Sequence, residues 1–303
     1  MMELLKEWNR LQTNWGIEFA YKVMIKPKIW RSLTYKHEAI LSYLEQKYSY
    51  LLNRYRKASL TIDTLQPNCP IWICWYQGEV NMPPIVKACI NSIKKHAKAH
   101  PIHIITSDNV TKYIQLPEYI LKKVAKKQIS LTHFSDIIRN NLLAQYGGIW
   151  LDATIYLTDE LREWNLPFYS LKQDIPNDHT YVSEYKWTGF CMGGVKGNVI
   201  NTFVSDFFNE YHKKESDLID YFLIDYIISV GYRNIPSLKK LIDEIPPSNP
   251  FLYYLLQNLD KTYNPKNFKE IEQNTHIFKV TWKLKNTEYS VDSYYQKIIN
   301  NLI

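Results

Sequence analysis

Residues 133–157, HFSDIIRNNLLAQYGGIWLDATIYL, constrain the fold more than any other part of the chain. The first half of this segment has apolar residues at helical spacing, and the second half holds the uninterrupted apolar run IWL. Gly147 and Gly148 lie between them and allow the positive φ that a tight turn from a helix into a strand requires. The pattern predicts a helix, a two-glycine turn and a buried strand that ends on Asp152.

Strand and helix patterns alternate on either side of this segment. IWICWYQG (71–78) and PIHIITSDN (101–109) read as strands, with the helix IVKACINSIKKHA between them and a short basic helix, residues 116–128, after them. Residues 181–198 predict strands that meet at glycine turns, and VINTFVSDFFNEYHKK predicts an amphipathic helix. Another helix is expected to begin near residue 216, with Ser216 as its N-cap. This order predicts an α/β fold with buried strands.

The N-terminal part differs in charge from the remainder. With 11 basic and five acidic side chains, residues 1–60 carry most of the net charge of +7. Helical apolar spacing here predicts a basic helical extension over residues 1–69 and a main domain over residues 70–303. Residues 61–70 read as the linker at their junction. Two interpretations stay open: an extension packed on the main domain with solvated charges, or attachment to an anionic membrane surface. No nucleic-acid-binding motif accompanies the charge, so no nucleic-acid partner is expected.

The amino-acid composition indicates in which cellular compartment the protein is expected. With 46% hydrophobic and 22% charged residues, the chain is typical of soluble proteins. It has no apolar run near the roughly 20 residues that span a bilayer, and its N-terminus has no signal-peptide core. The four cysteines form no CxxC pair, which favours reduced thiols in a cytoplasmic protein without a zinc site.

Asp152 is the first candidate for chemistry. In open α/β sheets, ligands bind beyond the carboxyl ends of the strands, where Asp152 is predicted to lie. A carboxylate there can ligate Mg²⁺ or Mn²⁺ whose other ligands come from substrate phosphates, and Thr154, expected on the same strand face, would add a hydroxyl. A strand-end aspartate that only caps a turn would give the same pattern.

Asp136 and Arg139 lie one helical turn apart in the preceding helix, beside Ser135. Such a pair commonly forms a surface ion pair worth a few tenths of a kcal/mol. If this face points to the edge of the sheet, Asp136 can instead accept from a ribose hydroxyl and Arg139 can bind a phosphate.

The motifs SD-x-x-R and YGG-x-W-LD-A-T, followed by GFCMGG and LIDYFLIDY, resemble the core of DxD-type GT-A glycosyltransferases of the fungal mannosyltransferase-like and clostridial-toxin-like groups. The bacterial capsular polysaccharide synthesis branch, near glycosyltransferase family 32, is the most similar. The resemblance extends over most of residues 70–285. It implies a Rossmann-like nucleotide-sugar-binding domain with a mixed sheet.

The resemblance also implies roles for individual residues. Trp75 or Tyr76 would stack on the base, and Asp136 and Arg139 would bind ribose and the donor. The complete set implied for nucleotide-sugar binding is Trp75, Tyr76, Gln77, Gly78, Ser135, Asp136, Arg139, Trp150 and Lys283. The set implied for catalysis is Asp152, Asp220, Tyr221 and Asp225.

A metal ion, Mn²⁺ or Mg²⁺, is part of what the resemblance implies, with Asp152, Thr154 and His276 as its ligands. The chain departs from the family pattern here, because the DxD position reads Asp152-Ala153-Thr154 and threonine replaces the usual direct metal ligand. In the closing segment THIFKVTWK, Phe278 stands where a histidine is expected, and His276 is the nearby histidine.

The implied activity is that of a retaining hexosyltransferase. It would move galactose or glucose from a UDP-sugar to a lipid-linked oligosaccharide in capsular or other surface polysaccharide synthesis. Residues 1–60 would then hold this cytoplasmic protein at the inner face of the cell membrane. The alternative is a non-catalytic carbohydrate-binding or scaffold protein on a decayed transferase fold. A metal-dependent nucleotidyltransferase or hydrolase would need more carboxylates near Asp152 than the sequence shows.

Overall fold

The computed structural model describes residues 2–60, 63–161, 166–175, 178–284 and 288–303, so residues 61 and 62 of the predicted linker lie outside the described residues. The strands are β1 (Ile71–Cys74), β2 (Ile102–Ile105), β3 (Gly148–Leu151), β4 (Ile155–Leu157), β5 (Phe168–Ser170), β6 (Cys191–Gly194) and β7 (Ile277–Lys279). The N-terminal helices are α1 (Met2–Trp15), α2 (Ile17–Ala20), α3 (Lys26–Ile29), α4 (Thr34–Lys47) and α5 (Ser49–Tyr55), with a π-helical turn over Tyr21–Ile25. The remaining helices are α6 (Pro84–His96), α7 (Val110–Tyr113), α8 (Glu118–Ala125), α9 (Leu131–Tyr146), α10 (Val199–Lys214), α11 (Leu223–Asn234), α12 (Pro236–Asp243), α13 (Tyr254–Asn258), α14 (Pro265–Glu272) and α15 (Tyr294–Ile299), and a 3₁₀ turn covers Glu79–Asn81.

The central sheet has five strands in the order β2-β1-β3-β6-β5. β1 runs parallel to β2 and to β3, whereas β6 runs antiparallel to both β3 and β5. The predicted α/β fold with a mixed sheet is therefore confirmed. β4 and β7 form a separate antiparallel pair, and three residues separate the end of β3 from the start of β4.

The two-glycine turn is present where it was predicted, between α9 and β3. Gly147 has φ 70° and Gly148 has φ 104°, both in the region that favours glycine. A Cβ on Gly148 would lie 2.3 Å from the carbonyl oxygen of Pro70, which accepts the backbone N–H of Ile149. The turn therefore fixes where β3 starts, and with it the position of Asp152 at the other end.

The N-terminal helices share a hydrophobic core with the helices on one face of the sheet. Leu11, Ile40 and Leu44 are buried in the same cluster as side chains of α9, α10 and α11. Polar contacts reinforce this packing, because Arg10 pairs with Asp217 and Lys47 pairs with Glu215. Within the described residues, no helix is both long enough and apolar enough to cross a bilayer.

The helix expected to begin near Ser216 begins later, at Leu223. Residues 216–222 instead form turns that side chains fix: Asp217 accepts from the backbone of Leu218, and Arg10 binds the Leu218 carbonyl. The Ser216 hydroxyl donates to Asn14 rather than capping a helix. Contacts with α1 therefore outweigh the local N-cap signal at Ser216.

Candidate functional site

The site lies at the edge of the sheet where the parallel strands β1 and β3 end. Residues after each strand line one cleft, together with the first turns of α9. Its lining includes Trp75, Tyr76, Gln77, Ser135, Arg139, Asp152, Thr154 and Trp282. This is the edge at which open α/β sheets bind ligands.

Asp152 is the centre of the polar contacts. Its Oδ1 accepts from Trp150 Nε1 at 2.9 Å and from Arg139 Nη2 at 3.2 Å, and its Oδ2 accepts from Lys279 Nζ at 3.0 Å. Burial alone would raise the pKa of this carboxyl, but the charges of Lys279 and Arg139 outweigh burial and lower it. Asp152 is therefore a carboxylate held between two cations.

Arg139 connects Asp152 with Asp136. Its Nη1 lies 3.0 Å from Asp136 Oδ1, its side chain is 5% exposed, and its guanidinium lies 5.0 Å from the centroid of the Trp150 ring. Gly189 leaves room for it, since a Cβ there would approach Arg139 Nη1 to 2.9 Å. The predicted pair of Asp136 and Arg139 is thus mostly buried and directed at Asp152, and is no surface ion pair.

Thr154 reaches the site through a turn. β3 ends at Leu151, and residues 152–154 turn back, with the backbone N–H of Ile155 donating to the Asp152 carbonyl, so the expected common strand face of Asp152 and Thr154 is corrected. Thr154 Oγ1 lies 2.7 Å from Lys279 Nζ. One lysine therefore binds both side chains of the Asp-Ala-Thr motif.

The residues present do not fit the expected Mn²⁺ or Mg²⁺. His276 lies beside Thr158, whose backbone N–H donates to its carbonyl, at the far end of the β4–β7 pair from Asp152 and Thr154. The structure therefore does not bring together the three predicted ligands. Across the described part of the chain, no group of three or more His, Cys, Asp or Glu side chains is arranged to bind a metal ion. The remaining candidate ligands, Asp152 Oδ2 and Thr154 Oγ1, contact the Lys279 ammonium.

Aromatic residues form one wall of the cleft. The rings of Trp75 and Trp282 meet edge to face with centroids 5.7 Å apart, and Trp282 is 43% exposed. Tyr76 packs edge to face on Phe134 instead. The exposed ring of Trp282 is thus a third candidate for stacking on a base, beside the two that the sequence suggested.

Two predicted residues, Gln77 after β1 and Ser135 in α9, line this cleft. Gln77 lines it, and its carbonyl accepts from Asn81 Nδ2 at 2.7 Å across a turn in which Gly78 has φ 90°. Ser135 lies against the thiol of Cys74, which hydrogen-bonds it at the end of β1. Gln77 and Ser135 therefore contribute polar groups to the lining of the cleft.

The later motif, LIDYFLIDY, supplies three of the predicted catalytic residues, and they lie in different surroundings. The Asp220 carboxylate lies 2.6 Å from Lys36 Nζ and also accepts the backbone N–H of Phe222, so it fixes the turn before α11. Tyr221 is 58% exposed, and its hydroxyl bonds Thr132 on the rim of the cleft.

Asp225 lies in the first turn of α11 and accepts from Trp187 Nε1 at 2.9 Å. Burial raises the pKa of Asp225 to about 7, and the nearby negative charge of Asp136 adds to the shift. The charges of Asp136 and Arg139 therefore act on the Asp225 carboxyl.

Lys283, the cation that was expected to bind the donor from the closing segment, does not line the cleft. Lys283 is exposed, and its ammonium lies over the Trp282 ring. It lines a separate cavity with Asp260 and Tyr289. Lys279 is the cation of the closing segment that contacts Asp152, and sequence reasoning missed it. The available signal was a lysine within the apolar strand IFKV, because a lysine in such a place usually has a partner.

The chain is similar to one family model and to two named glycosyltransferases. A family model described as "Capsular polysaccharide synthesis protein" matches residues 21–298. The O-glycosyltransferase braB of Annulohypoxylon truncatum is 29% identical over 106 residues, which are 31% of this chain, and the chain spans only 25% of that relative. Among solved structures, the PaToxG glycosyltransferase aligns with a TM-score of 0.40 and 14% identity, over 68% of this chain and 81% of that one.

Proposed function

The chain belongs to the capsular polysaccharide synthesis protein family, and from this premise we propose that it is a GT-A-type glycosyltransferase. The proposed donor is a UDP-hexose, UDP-galactose or UDP-glucose, and the proposed acceptor is a lipid-linked oligosaccharide. The observation that carries it is the carboxylate of Asp152, held by Arg139 and Lys279 beside an aromatic cleft at the carboxyl edge of β1 and β3.

The cleft has the two features that a nucleotide-sugar requires. Trp75, Tyr76 and Trp282 offer flat faces and edges for a uracil ring. Arg139 and Lys279 supply positive charge for the diphosphate, and Asp152 and Asp136 offer acceptors for ribose hydroxyls. The donor sugar would then lie toward Tyr221 and Asp225.

In the proposed reaction the sugar keeps its anomeric configuration. The bond from C1 to the phosphate oxygen breaks and its electron pair stays on that oxygen. The acceptor hydroxyl oxygen bonds to C1 from the same face, and its proton passes to the departing phosphate oxygen. No separate general base is needed, which agrees with the pairing of Asp152 to two cations.

A membrane-facing surface would bring the enzyme to a lipid-linked acceptor. Four large apolar residues in the segment that follows α1 are between 43% and 69% exposed: Ile17, Tyr21, Ile29 and Trp30. Lys22, Lys26, Lys28 and Arg31 are interspersed among them. We call residues 17–33 the basic apolar surface. Apolar side chains among lysines and arginines suit the interface of an anionic bilayer, so this surface supports a peripheral position at the inner face of the membrane.

Release of UDP from UDP-glucose and UDP-galactose tests the proposal. We expect slow hydrolysis that prefers one sugar, and about a 10²- to 10³-fold loss in Asp152→Asn, because a preorganised electrostatic group is removed. Asp260→Asn removes an exposed carboxylate outside the cleft and should retain the rate. Running each assay both with EDTA and with MnCl₂ separates the question of activity from the question of whether a metal ion is needed. Failure to bind UDP and to release it in either buffer would support the non-catalytic scaffold instead.

A further inference from the structure

Lys279 is fixed at the Asp-Ala-Thr motif by its backbone as well as by its side chain. It is the last residue of β7, paired with Ile155, and its backbone N–H donates to the Leu252 carbonyl at 2.8 Å. The next backbone N–H, of Val280, donates to the Thr154 carbonyl at 3.0 Å. The main chain on both sides of Lys279 thus holds it against the turn that carries Asp152 and Thr154.

The ammonium of Lys279 lies where a divalent cation would have to bind. Its Nζ is 3.0 Å from Asp152 Oδ2 and 2.7 Å from Thr154 Oγ1, and it lies 4.7 Å from the centroid of the Phe190 ring. A divalent ion ligated by these two oxygens would lie beside the ammonium. Like charges at such a distance repel strongly in a partly buried site, and Arg139 on the other Asp152 oxygen adds to the repulsion.

The same ammonium is suited to bind a diphosphate. A lysine ammonium has three N–H donors, and two of them have partners among the described residues, Asp152 and Thr154. These partners line the cleft, and the Lys279 side chain that contacts them is 17% exposed. A third N–H is therefore available for a phosphate oxygen in the cleft.

We infer that Lys279 takes the place of the divalent ion, binding the donor diphosphate directly, so that this chain transfers sugar without a metal. The inference rests on the proposed function. As the C1–O bond breaks, its electron pair stays on the β-phosphate oxygen, and the ammonium stabilises the added negative charge on that phosphate. The acceptor oxygen bonds to C1, and its proton passes to the departing phosphate, so Lys279 keeps its own protons. A fixed cation at a developing charge is an established source of rate enhancement.

Binding in metal-free buffer is the first test. Calorimetric titrations with UDP and with uridine, each in EDTA and in MnCl₂, compare the wild type with Lys279→Ala and Lys279→Arg. We expect the wild type to bind UDP more tightly than uridine in EDTA, with less than about a twofold change on adding Mn²⁺. Lys279→Ala should lose about 10-fold or more of UDP affinity and keep its uridine affinity, since a charge-assisted contact to phosphate is lost. Lys279→Arg should retain part of the preference for UDP. Lys269→Ala, at an exposed lysine of α14, is the matched control.

Turnover completes the test. The wild type should release UDP equally in EDTA and in MnCl₂, and Lys279→Ala should fall by about 10²- to 10³-fold in both. Lys279→Asp would place a second carboxylate beside Asp152, and any activity it keeps should require Mn²⁺. Wild-type UDP binding or turnover that appears only with Mn²⁺ would overturn the inference and leave the transferase proposal intact; this comparison does not depend on any variant folding. A wild type that binds UDP in neither buffer would overturn the proposed function and the inference with it.

Discussion

The guanidinium of Arg139 joins two carboxylates, with Nη1 3.0 Å from Asp136 Oδ1 and Nη2 3.2 Å from Asp152 Oδ1. Arg139 of α9 therefore links the charge at the end of β3 to that of Asp136 on its own helix. The contact is mostly buried, so its loss has a cost in stability as well as in binding.

Replacing Arg139 by alanine should destabilise the fold. The change leaves two partly buried carboxylates without their shared cation, and breaking a buried pair in this way costs about 3–5 kcal/mol. Because Asp152 is 29% exposed, we expect the lower end of this range, measured as the free energy of unfolding in urea. Arg233→Ala removes an exposed pair with Glu38 and should cost about 1 kcal/mol or less. Equal losses for the two variants would contradict the assigned role of Arg139.

Gly148→Ala should be far more damaging than Gly197→Ala. Both glycines have positive φ, 104° and 73°, and a side chain in that region costs roughly 1–2 kcal/mol. Only at Gly148 would the new Cβ also lie 2.3 Å from the Pro70 carbonyl oxygen, whereas at Gly197 nothing lies within 4 Å. We expect Gly148→Ala to shift β1 against β3 and to lower the unfolding free energy by several kcal/mol more, as thermal and urea unfolding can measure. Similar unfolding curves would show that the turn adjusts without moving Pro70.

Local patterns predicted most of what surrounds the site. The helix, glycine turn and strand leading to Asp152 were correct because period and turn chemistry are local properties of the chain. Lys279 was missed because it contacts Asp152 across 127 residues of sequence, a pairing that no periodicity encodes. Ser216 failed as an N-cap for a related reason: contacts with α1 act on residues 216–222 and local propensity does not include them.

The position of His276 shows that local sequence patterns also do not determine which residues come together as metal ligands. The sequence places His276 and Lys279 three residues apart, close enough for either to be the group that faces Asp152. The register of β4 against β7 decides between them, because it pairs Lys279 with Ile155 and leaves His276 beside Thr158. Register depends on how two distant segments pack, so it had to come from the structure.

Asp225 should make the stability of the protein depend on pH. Burial raises the pKa of its carboxyl to about 7 in the folded state, from an ordinary value of 3.8. The folded state therefore binds more protons between these values, and the contribution of Asp225 to stability falls as pH rises through that window. Asp225→Asn removes the ionisation and can keep the bond from Trp187. From pH 5 to pH 8, the unfolding free energy of Asp225→Asn should gain roughly 2–3 kcal/mol relative to the wild type.

Urea unfolding at several pH values measures this difference, with the exposed Asp260→Asn as a control for the loss of one negative charge. A constant difference between Asp225→Asn and the wild type from pH 5 to pH 8 would show that Asp225 ionises normally in the folded protein.

The basic apolar surface, residues 17–33, should bind anionic vesicles. Ile29 and Trp30 are 60% and 62% exposed beside Lys28 and Arg31, so they can enter the interface while the basic groups attract anionic headgroups. Flotation with phosphatidylglycerol vesicles should recover the wild type, and the bound fraction should fall as salt screens the attraction. The double substitution Ile29→Ser and Trp30→Ser should weaken binding by at least about 10-fold, since each buried apolar side chain contributes about 1.5–3 kcal/mol.

Val291 supplies the control for this experiment, because it is 81% exposed and lies outside the basic apolar surface. Val291→Ser should bind vesicles as the wild type does, and UDP binding should be the same in all three proteins, since the cleft lining includes none of these side chains. Equal flotation of the double variant, or equal wild-type binding to neutral phosphatidylcholine vesicles, would show that this surface does not recognise an anionic membrane. In that case the basic apolar surface would no longer support the proposal of a lipid-linked acceptor. The proposal for the donor site would be unaffected.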